Sequence, residues 1–238
     1  MFNFRLNHIQ IVLFLEKEIT LPLLDILKVF IKNDIYKGEP VFLPKFEKIK
    51  DSTPSLPILE VKEVNNLKKI IFWQKQIALE WRAESPESDT WIIESVEEVV
   101  KTVTLMKEIL SNEKIKRIGV ITEHLFVIGT QNDSNIMDNF SDSIIKISDT
   151  EGIFGIDLKA TIKTNSRAYD NCNFLVQIQN GHLNNDTEPK RDVLILKQDF
   201  NTHQDKNIEF DVDKACMFIK EGLEINFGLR GQEIIWPN

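Results

Sequence analysis

The sequence is poor in the residues that cross-link a fold or interrupt it. It contains two cysteines, nine glycines and eight prolines among 238 residues. Cys172 and Cys216 are far apart and form no C-x-x-C pair, which excludes a disulfide framework and argues against a zinc site. We therefore predict that both are small buried apolar residues. The low glycine and proline content also argues against a low-complexity chain.

Long apolar runs are lacking as well. No stretch reaches the roughly 18 apolar residues that a membrane-spanning helix requires. Residues 1–18 contain a short apolar run without the basic leader, the long apolar segment and the small-residue cleavage site of a signal peptide. We therefore expect a cytoplasmic protein with reduced thiols and no membrane partner.

Positive charge is in deficit. The net charge is −8 and the isoelectric point is about 5.2, so nucleic acid is not a favoured partner. The remaining composition, 42% hydrophobic and 28% charged, is that of an ordinary globular protein. A chain of this length can bury a sizeable core in one large domain or two small ones.

The first half of the chain begins with a strand pattern followed by a helix pattern. Residues 4–15 are rich in β-forming residues. Thr20 is a candidate N-cap and Pro22 fits a first helical turn. Residues 37–57 are rich in proline and charge, which predicts an extended crossing segment. The apolar residues of the predicted helix recur at helical spacing: Leu23, Leu24, Leu27, Phe30 and Ile31.

A hairpin and a second helix follow. Asn65–Asn66 suits a tight turn between strands over residues 58–64 and 68–81. The long second strand is expected to place Ile71, Trp73, Ile77, Leu79 and Trp81 on one core face. A helix then has its apolar stripe at Val96, Val99, Val100, Val103, Met106 and Leu110, and residues 115–126 return as a strand. The order strand, helix, strand, strand, helix, strand predicts a ferredoxin-like half.

The second half is predicted to be a meander closed by a helix. Strands are expected over residues 153–164, 172–180 and 193–201, and a helix begins at Asp211 or Asp213. Its predicted buried stripe is Val212, Cys216, Ile219, Leu223 and Phe227. The fold class is therefore α+β: a ferredoxin-like βαββαβ half at 1–128, a linker or surface loop at 129–151, and an antiparallel three-strand meander with a C-terminal helix at 152–238. The two halves form either separate units or one continuous domain.

Two segments carry a resemblance to a known group of proteins. The strand Arg117–His124 and the segment Leu194–Phe200, followed by Phe210–Asp213 and a terminal helix, resemble a sporadically distributed, uncharacterised family of bacterial proteins of about this length. That family's strand reads roughly Gly-Leu-Arg-Tyr-Ile-Asn, and here Ile121 and Thr122 replace its Arg-Tyr. The resemblance supports the architecture and implies no activity. The meander and long helix are also similar in element order to SecB-type export chaperones and their antitoxin-partnered relatives.

Glu123 and His124 are the pair of adjacent residues most typical of a catalytic site. A carboxylate can orient or charge an imidazole for proton transfer. Neighbouring residues on a strand point to opposite faces, however, which favours two unrelated side chains, one toward solvent and one toward the helices. They are therefore weak catalytic candidates.

Other constellations favour structural explanations. The histidines lack metal-ligand spacing, so we expect no metal and no cofactor. Asp199, Asp205, Glu209, Asp211 and Asp213 cluster near the last helix, where capping and solvation account for them. No G-x-S-x-G or phosphate-binding glycine motif is present. Trp73, Trp81 and Phe72 would suit an RNA-binding sheet only if exposed, and the predicted core face argues against that.

These patterns favour a non-enzymatic protein-binding or assembly protein. Its partner would be another protein or a second copy, bound through sheet edges or through the apolar terminal residues Ile234, Ile235 and Trp236. The alternatives are a SecB-like chaperone, an accessory protein of phage defence or of a toxin–antitoxin pair, and an enzyme with a site between the halves involving His124.

Overall fold

The computed structural model shows an antiparallel sheet with helices on one side. It describes residues 5–19, 21–33, 39–42, 57–63, 67–83, 90–110, 114–127, 157–185, 188–202, 208–209 and 211–228. Within these ranges the strands are β1 Arg5–Leu15, β2 Glu39–Phe42, β3 Leu59–Lys62, β4 Lys68–Phe72, β5 Gln76–Arg82, β6 Lys114–Val127, β7 Asp157–Thr164, β8 Cys172–Asn185, β9 Glu188–Thr202 and β10 Ile208–Glu209. The helices are α1 Leu23–Lys32, α2 Thr90–Leu110 and α3 Val212–Gly228.

All ten of these strands belong to one sheet. Its order is β2-β3-β4-β5-β1-β6-β9-β8-β7, and the short β10 lies against β6. Every pairing is antiparallel. The α+β class is confirmed, and so is the meander of β7, β8 and β9 followed by a helix. Strand β2 falls within the segment predicted only as extended, and Pro40 is tolerated there because β2 is an edge strand.

The ferredoxin-like strand order predicted for the first half is wrong. That fold is a four-stranded antiparallel sheet, whereas the described strands of the first half number six, in the order β2-β3-β4-β5-β1-β6. The predicted long strand over 68–81 reverses at Trp73–Lys75, where the backbone N–H of Trp73 donates to the carbonyl of Gln76 at 2.8 Å. This extra turn divides the predicted strand into β4 and β5, and β5 is the one that pairs with β1.

The same turn changes which side chains share a face. Ile70 lies opposite Leu79, so both point to the side that carries the helices, whereas Ile71 lies opposite Ala78 on the other side. Placing Ile71 with Leu79 and Trp81 was therefore wrong. The placement of Trp81 in the core is confirmed, since 1% of its surface is exposed. Trp73, in the turn, is half-buried.

The three helices of the described ranges pack on one face of the sheet. The Phe30 ring of α1 lies edge-on to Phe72 of β4 at 6.2 Å, and Phe218 of α3 stacks on Phe200 of β9 at 4.8 Å. Helix α2 contacts both other helices. One cluster of buried apolar side chains includes residues from β1 through α3. We call this side of the sheet the helix face and the other side the polar face.

Strand β6 joins the two predicted halves. Residues 119–127 of β6 pair with residues 193–201 of β9, which extends the sheet from the first half into the meander. Their side chains also contribute to the same apolar cluster. The predicted linker at 129–151 lies outside the described residues.

Helix α3 begins where its capping residue predicts. One carboxylate oxygen of Asp211 accepts hydrogen bonds from the backbone N–H groups of Asp213 at 2.9 Å and Lys214 at 3.2 Å, as an N-cap does. Of the predicted stripe, Ile219 and Leu223 are buried and Cys216 is half-buried, and the side chains of Val212 and Phe227 lie outside the described ones. The other buried residues among the described side chains of α3 are Ala215, Phe218, Gly222 and Asn226.

Candidate interaction surface

Strand β7 is an exposed edge of the sheet. Within the described part of the chain, it pairs with β8 on one side and with no strand on the other. All of its residues are exposed except Leu158 and Thr164, which are half-buried. The exposed backbone edge of a strand offers N–H and C=O groups to another extended chain.

The helix face of β7 is apolar. Ile162 lies opposite Phe174 of β8, which lies opposite Phe200 of β9 beneath α3, so Ile162 points to the helix side. Leu158 and Ala160 share that side by strand alternation. Phe174 is buried but Ile162 is 53% exposed, so the covering of the helix face ends between β8 and β7.

The polar face of β7 is charged. Asp157, Lys159, Thr161 and Lys163 alternate with the apolar residues and are exposed. The Asp157 carboxylate accepts a hydrogen bond from the Gln177 side-chain amide of β8 at 3.1 Å. The edge therefore combines one apolar side, one charged side and a backbone available for pairing. Sequence reasoning predicted this strand but missed its exposure. The available signal was its content of charged and small residues.

Other exposed apolar side chains are scattered. In the described ranges, the large ones besides Ile162 are Leu24 and Ile31 of α1 and Met217 of α3. Leu24 and Ile31 share the helical spacing of Leu27 and Phe30 but are exposed, because the buried residues of α1 are Ile26, Leu27 and Phe30.

Glu123 and His124 lie on opposite sides of β6. His124 is fully buried on the helix face, where its Nε2 lies 3.1 Å from the Thr122 hydroxyl. The Glu123 carboxylate, on the polar face, accepts a hydrogen bond from the Asn7 side-chain amide at 3.2 Å. The two side chains therefore do not form the proton-transfer pair that their adjacency suggested. Ile234, Ile235 and Trp236 lie outside the described residues.

Buried polar groups accompany His124 on the helix face. Gln198 lies opposite Thr122, and neither its amide nitrogen nor its amide oxygen has a hydrogen-bond partner among the residues that the structure describes. Asn226 of α3 donates to the backbone carbonyl of Val120 at 3.4 Å. This hydrogen bond links the last turns of α3 to β6.

Charged side chains on the polar face form a partly buried network around Glu80. Its carboxylate accepts a hydrogen bond from Gln10 at 2.8 Å and lies 3.0 Å from the Lys69 ammonium nitrogen. His8 Nε2 is 3.9 Å from the same carboxylate. Burial lowers the pKa of His8, while Glu80 and Glu123 oppose that shift and Arg82 and Lys69 reinforce it. His8 therefore stays neutral to a lower pH in the folded protein than in the unfolded chain.

We expect His8 to make the protein less stable in mild acid. In the unfolded chain the imidazole takes up a proton near its ordinary pKa of 6.5, and the folded state resists that protonation. The stability contributed by neutral His8 is thus complete above the unfolded pKa and is lost as pH falls toward the folded pKa. Urea unfolding measured at about pH 7.5 and at about pH 5.5 should show that the free energy of unfolding falls less between these two pH values for His8→Gln than for wild type. An equal loss in both proteins would contradict this assignment.

The cysteines and acidic residues show no catalytic grouping in the described chain. Cys172 is buried and Cys216 half-buried, and both are free; burial raises the pKa of each thiol. Of the predicted acidic cluster, Asp211 serves as the helix cap and Asp199 pairs with Arg117 at 3.4 Å. The described residues contain no group of three or more His, Cys, Asp or Glu that could hold a metal ion. None of the described helices is long and apolar enough to cross a membrane.

Comparison with known proteins adds no assignment. No protein-family model matches the chain, and no curated protein matches its sequence.

Proposed function

We propose that this protein acts by binding protein, without chemistry of its own, and that an extended segment of the partner adds to the free edge of β7. The observation that carries the proposal is the exposure of β7 on both faces at the end of the sheet. In strand addition, main-chain hydrogen bonds supply affinity and alternate side chains supply specificity. Leu158, Ala160 and Ile162 offer the apolar side of such a contact.

The rival enzyme hypothesis requires a site around His124. The burial of this imidazole and the separation of Glu123 from it leave that pair without a shared approach for a substrate. Binding through β7 needs no such approach, because the edge is already at the surface.

A cytoplasmic location is part of the proposal. Cys172 and Cys216 are both free thiols. Disulfides persist mainly in oxidising compartments, whereas free thiols are typical of proteins in a reducing compartment. Burial raises the pKa of both thiols, which limits their reactivity in addition.

The substitution Ile162→Asp tests the proposed edge. It places a charge on the apolar side of β7 at an exposed position, so folding should persist while partner binding falls at least about tenfold, as expected for losing the centre of a small interface. Affinity isolation with quantitative mass spectrometry, together with light scattering, measures recovered partners and self-association. Far-ultraviolet circular dichroism checks that the variant is folded.

Met217→Asp is the matched control, because Met217 is a large apolar side chain of comparable exposure, 46%, that belongs to α3 and not to the sheet edge. It should retain the partners that wild type retains. Equal binding by the two variants, or a wild-type protein that is monomeric and retains no specific partner, would contradict the proposal.

The terminal apolar residues Ile234, Ile235 and Trp236 are proposed as a second contact. Deleting residues 232–238 should weaken assembly, because it removes an apolar segment without helical periodicity. Unchanged elution and mass by light-scattering chromatography would count against that role.

A further inference from the structure

The order of residues along β7 is complementary to itself. On the polar face, Asp157 stands near one end of the strand and Lys163 near the other; on the helix face, Leu158 and Ile162 hold the matching positions. A two-fold axis through the middle of an antiparallel strand pair brings each end of one copy beside the opposite end of the other. The arrangement therefore suits pairing of β7 with β7 of a second copy.

We infer that the partner at this edge is a second copy of the chain, joined by antiparallel β7–β7 pairing centred on Ala160. This inference rests on the proposed function of β7 and names its partner. In this register Asp157 lies opposite Lys163 of the second copy, and Leu158 lies opposite Ile162 of the second copy. Each of these contacts occurs twice. Lys159 lies opposite Thr161, and Ala160 lies opposite its own copy.

The charges select this register over its neighbours. In an antiparallel pair, side chains directly opposite each other point to the same face of the sheet. A two-fold axis that relates two copies of β7 must therefore pass beside a residue, which then lies opposite its own copy, and cannot pass between two residues. Centring one residue earlier sets Lys159 against its own copy, and centring one residue later sets Lys159 against Lys163. Like charges directly opposite destabilise a strand pair. Centring on Ala160 opposes no like charges and forms two opposite-charge pairs.

The apolar side supports the same register. Ile162 and Leu158 of the two copies would form two apolar pairs on the helix face, next to the half-buried Val176 and Ile178 of β8. Lysines on an edge strand commonly prevent uncontrolled pairing. In the register centred on Ala160, each Lys163 gains a carboxylate partner, Asp157 of the second copy. The lysines of β7 therefore favour this register and disfavour registers that place lysines opposite each other. Because a single strand pair buries little surface, we expect a weak, concentration-dependent dimer.

A charge exchange tests the inference directly. Asp157→Lys creates two contacts between lysines in the dimer, and Lys163→Asp creates two contacts between aspartates. Each single variant should dimerise at least about tenfold more weakly than wild type, since two attractive pairs become repulsive. An equimolar mixture of the two should form a heterodimer, because the lysines at both positions of the first variant then face the aspartates at both positions of the second.

Sedimentation velocity of the full chain over a range of concentrations at low salt provides the measurement. The double variant Asp157→Lys/Lys163→Asp should recover wild-type association. Controls are Asp170→Lys and Lys75→Asp, which reverse exposed charges outside β7 and should leave association unchanged. Ala160→Cys should form an intermolecular disulfide on mild oxidation, and Thr161→Cys should do so much less, because only position 160 faces its own copy.

The outcomes separate this inference from the proposed function. Wild type that stays monomeric at every concentration overturns self-pairing. A dimer insensitive to both single charge reversals, or a mixture without heterodimer, overturns this register. In any of these cases β7 still serves another protein if Ile162→Asp, but not Met217→Asp, loses a partner. If neither variant loses one, the proposed function fails as well.

Discussion

Replacing Phe218 with alanine is expected to lower the free energy of unfolding by about 3–5 kcal/mol. The Phe218 side chain is fully buried. Its ring stacks on Phe200 at a centroid distance of 4.8 Å and lies edge-on to Tyr169 at 5.6 Å. Removing the ring leaves a cavity between α3 and the meander and removes the aromatic contacts as well. Since domains are commonly stable by about 5–15 kcal/mol, a large share of the stability would be lost.

Met217→Ala is the control for this prediction. Met217 precedes Phe218 on the same helix and is exposed, so its truncation should change the free energy of unfolding by no more than about 0.5 kcal/mol. Urea unfolding followed by tryptophan fluorescence and by circular dichroism measures both variants. Similar midpoints for Phe218→Ala and Met217→Ala would show that Phe218 does not anchor α3.

Enlarging Gly222 is expected to destabilise the protein by overpacking. A Cβ atom at this position would lie 2.9 Å from Cδ1 of Phe200 and 3.0 Å from Cβ and Cγ2 of Val120. Val120 Cβ is fixed to the backbone of β6, so the helix must move away from the sheet. We expect Gly222→Ala to cost about 1 kcal/mol and Gly222→Val about 3 kcal/mol, despite the higher helix propensity of alanine.

Gly119 offers the matched comparison. A Cβ atom there would lie 3.6 Å from Oδ1 of Asp199 and 3.8 Å from Cβ of Asn201, which is ordinary contact. Gly119→Ala should therefore change the stability by no more than about 0.5 kcal/mol. The same urea titrations apply. Gly222→Ala that is as stable as Gly119→Ala would indicate that α3 adjusts its distance from the sheet without cost.

Long periodic segments could be predicted from the sequence because their stripes are long enough to average over local exceptions. Five residues of the predicted α2 stripe are buried and Val100 is half-buried; the buried ones are Val96, Val99, Val103, Met106 and Leu110. Asp211 was one of two proposed caps, and its hydrogen bonds to the next turn confirm it. Strand β6 begins and ends within one residue of its prediction.

Short reversals were harder to predict because alternation can continue through them. The turn at Trp73–Lys75 contains no glycine, proline or asparagine, the residues that usually signal a turn. Alternating apolar residues on both sides then suggested one long strand. The turn divides the predicted strand into β4 and β5, which adds a strand to the first half, and it places Ile71 on the polar face.

Exposure could not be predicted from one element alone, because it depends on which neighbours cover that element. Leu24 and Ile31 match the helical stripe of α1, yet they are exposed because the packed side of α1 is the one with Ile26, Leu27 and Phe30. The free edge at β7 follows from its place in the strand order. The separation of Glu123 from His124 was the exception, since strand alternation alone indicates it.

The place of β1 between β5 and β6 bears on how the chain matures during synthesis. Ile11 of β1 pairs with Leu79 and with Val120, so its second neighbour is translated roughly a hundred residues after it. Until β6 leaves the ribosome, one backbone edge and much of the apolar side of β1 stay unprotected. Contacts this distant in sequence slow folding. Premature termination before β6 should therefore yield an aggregation-prone fragment, whereas a fragment that ends just after β6 would pair both edges of β1 and leave β6 without its β9 neighbour.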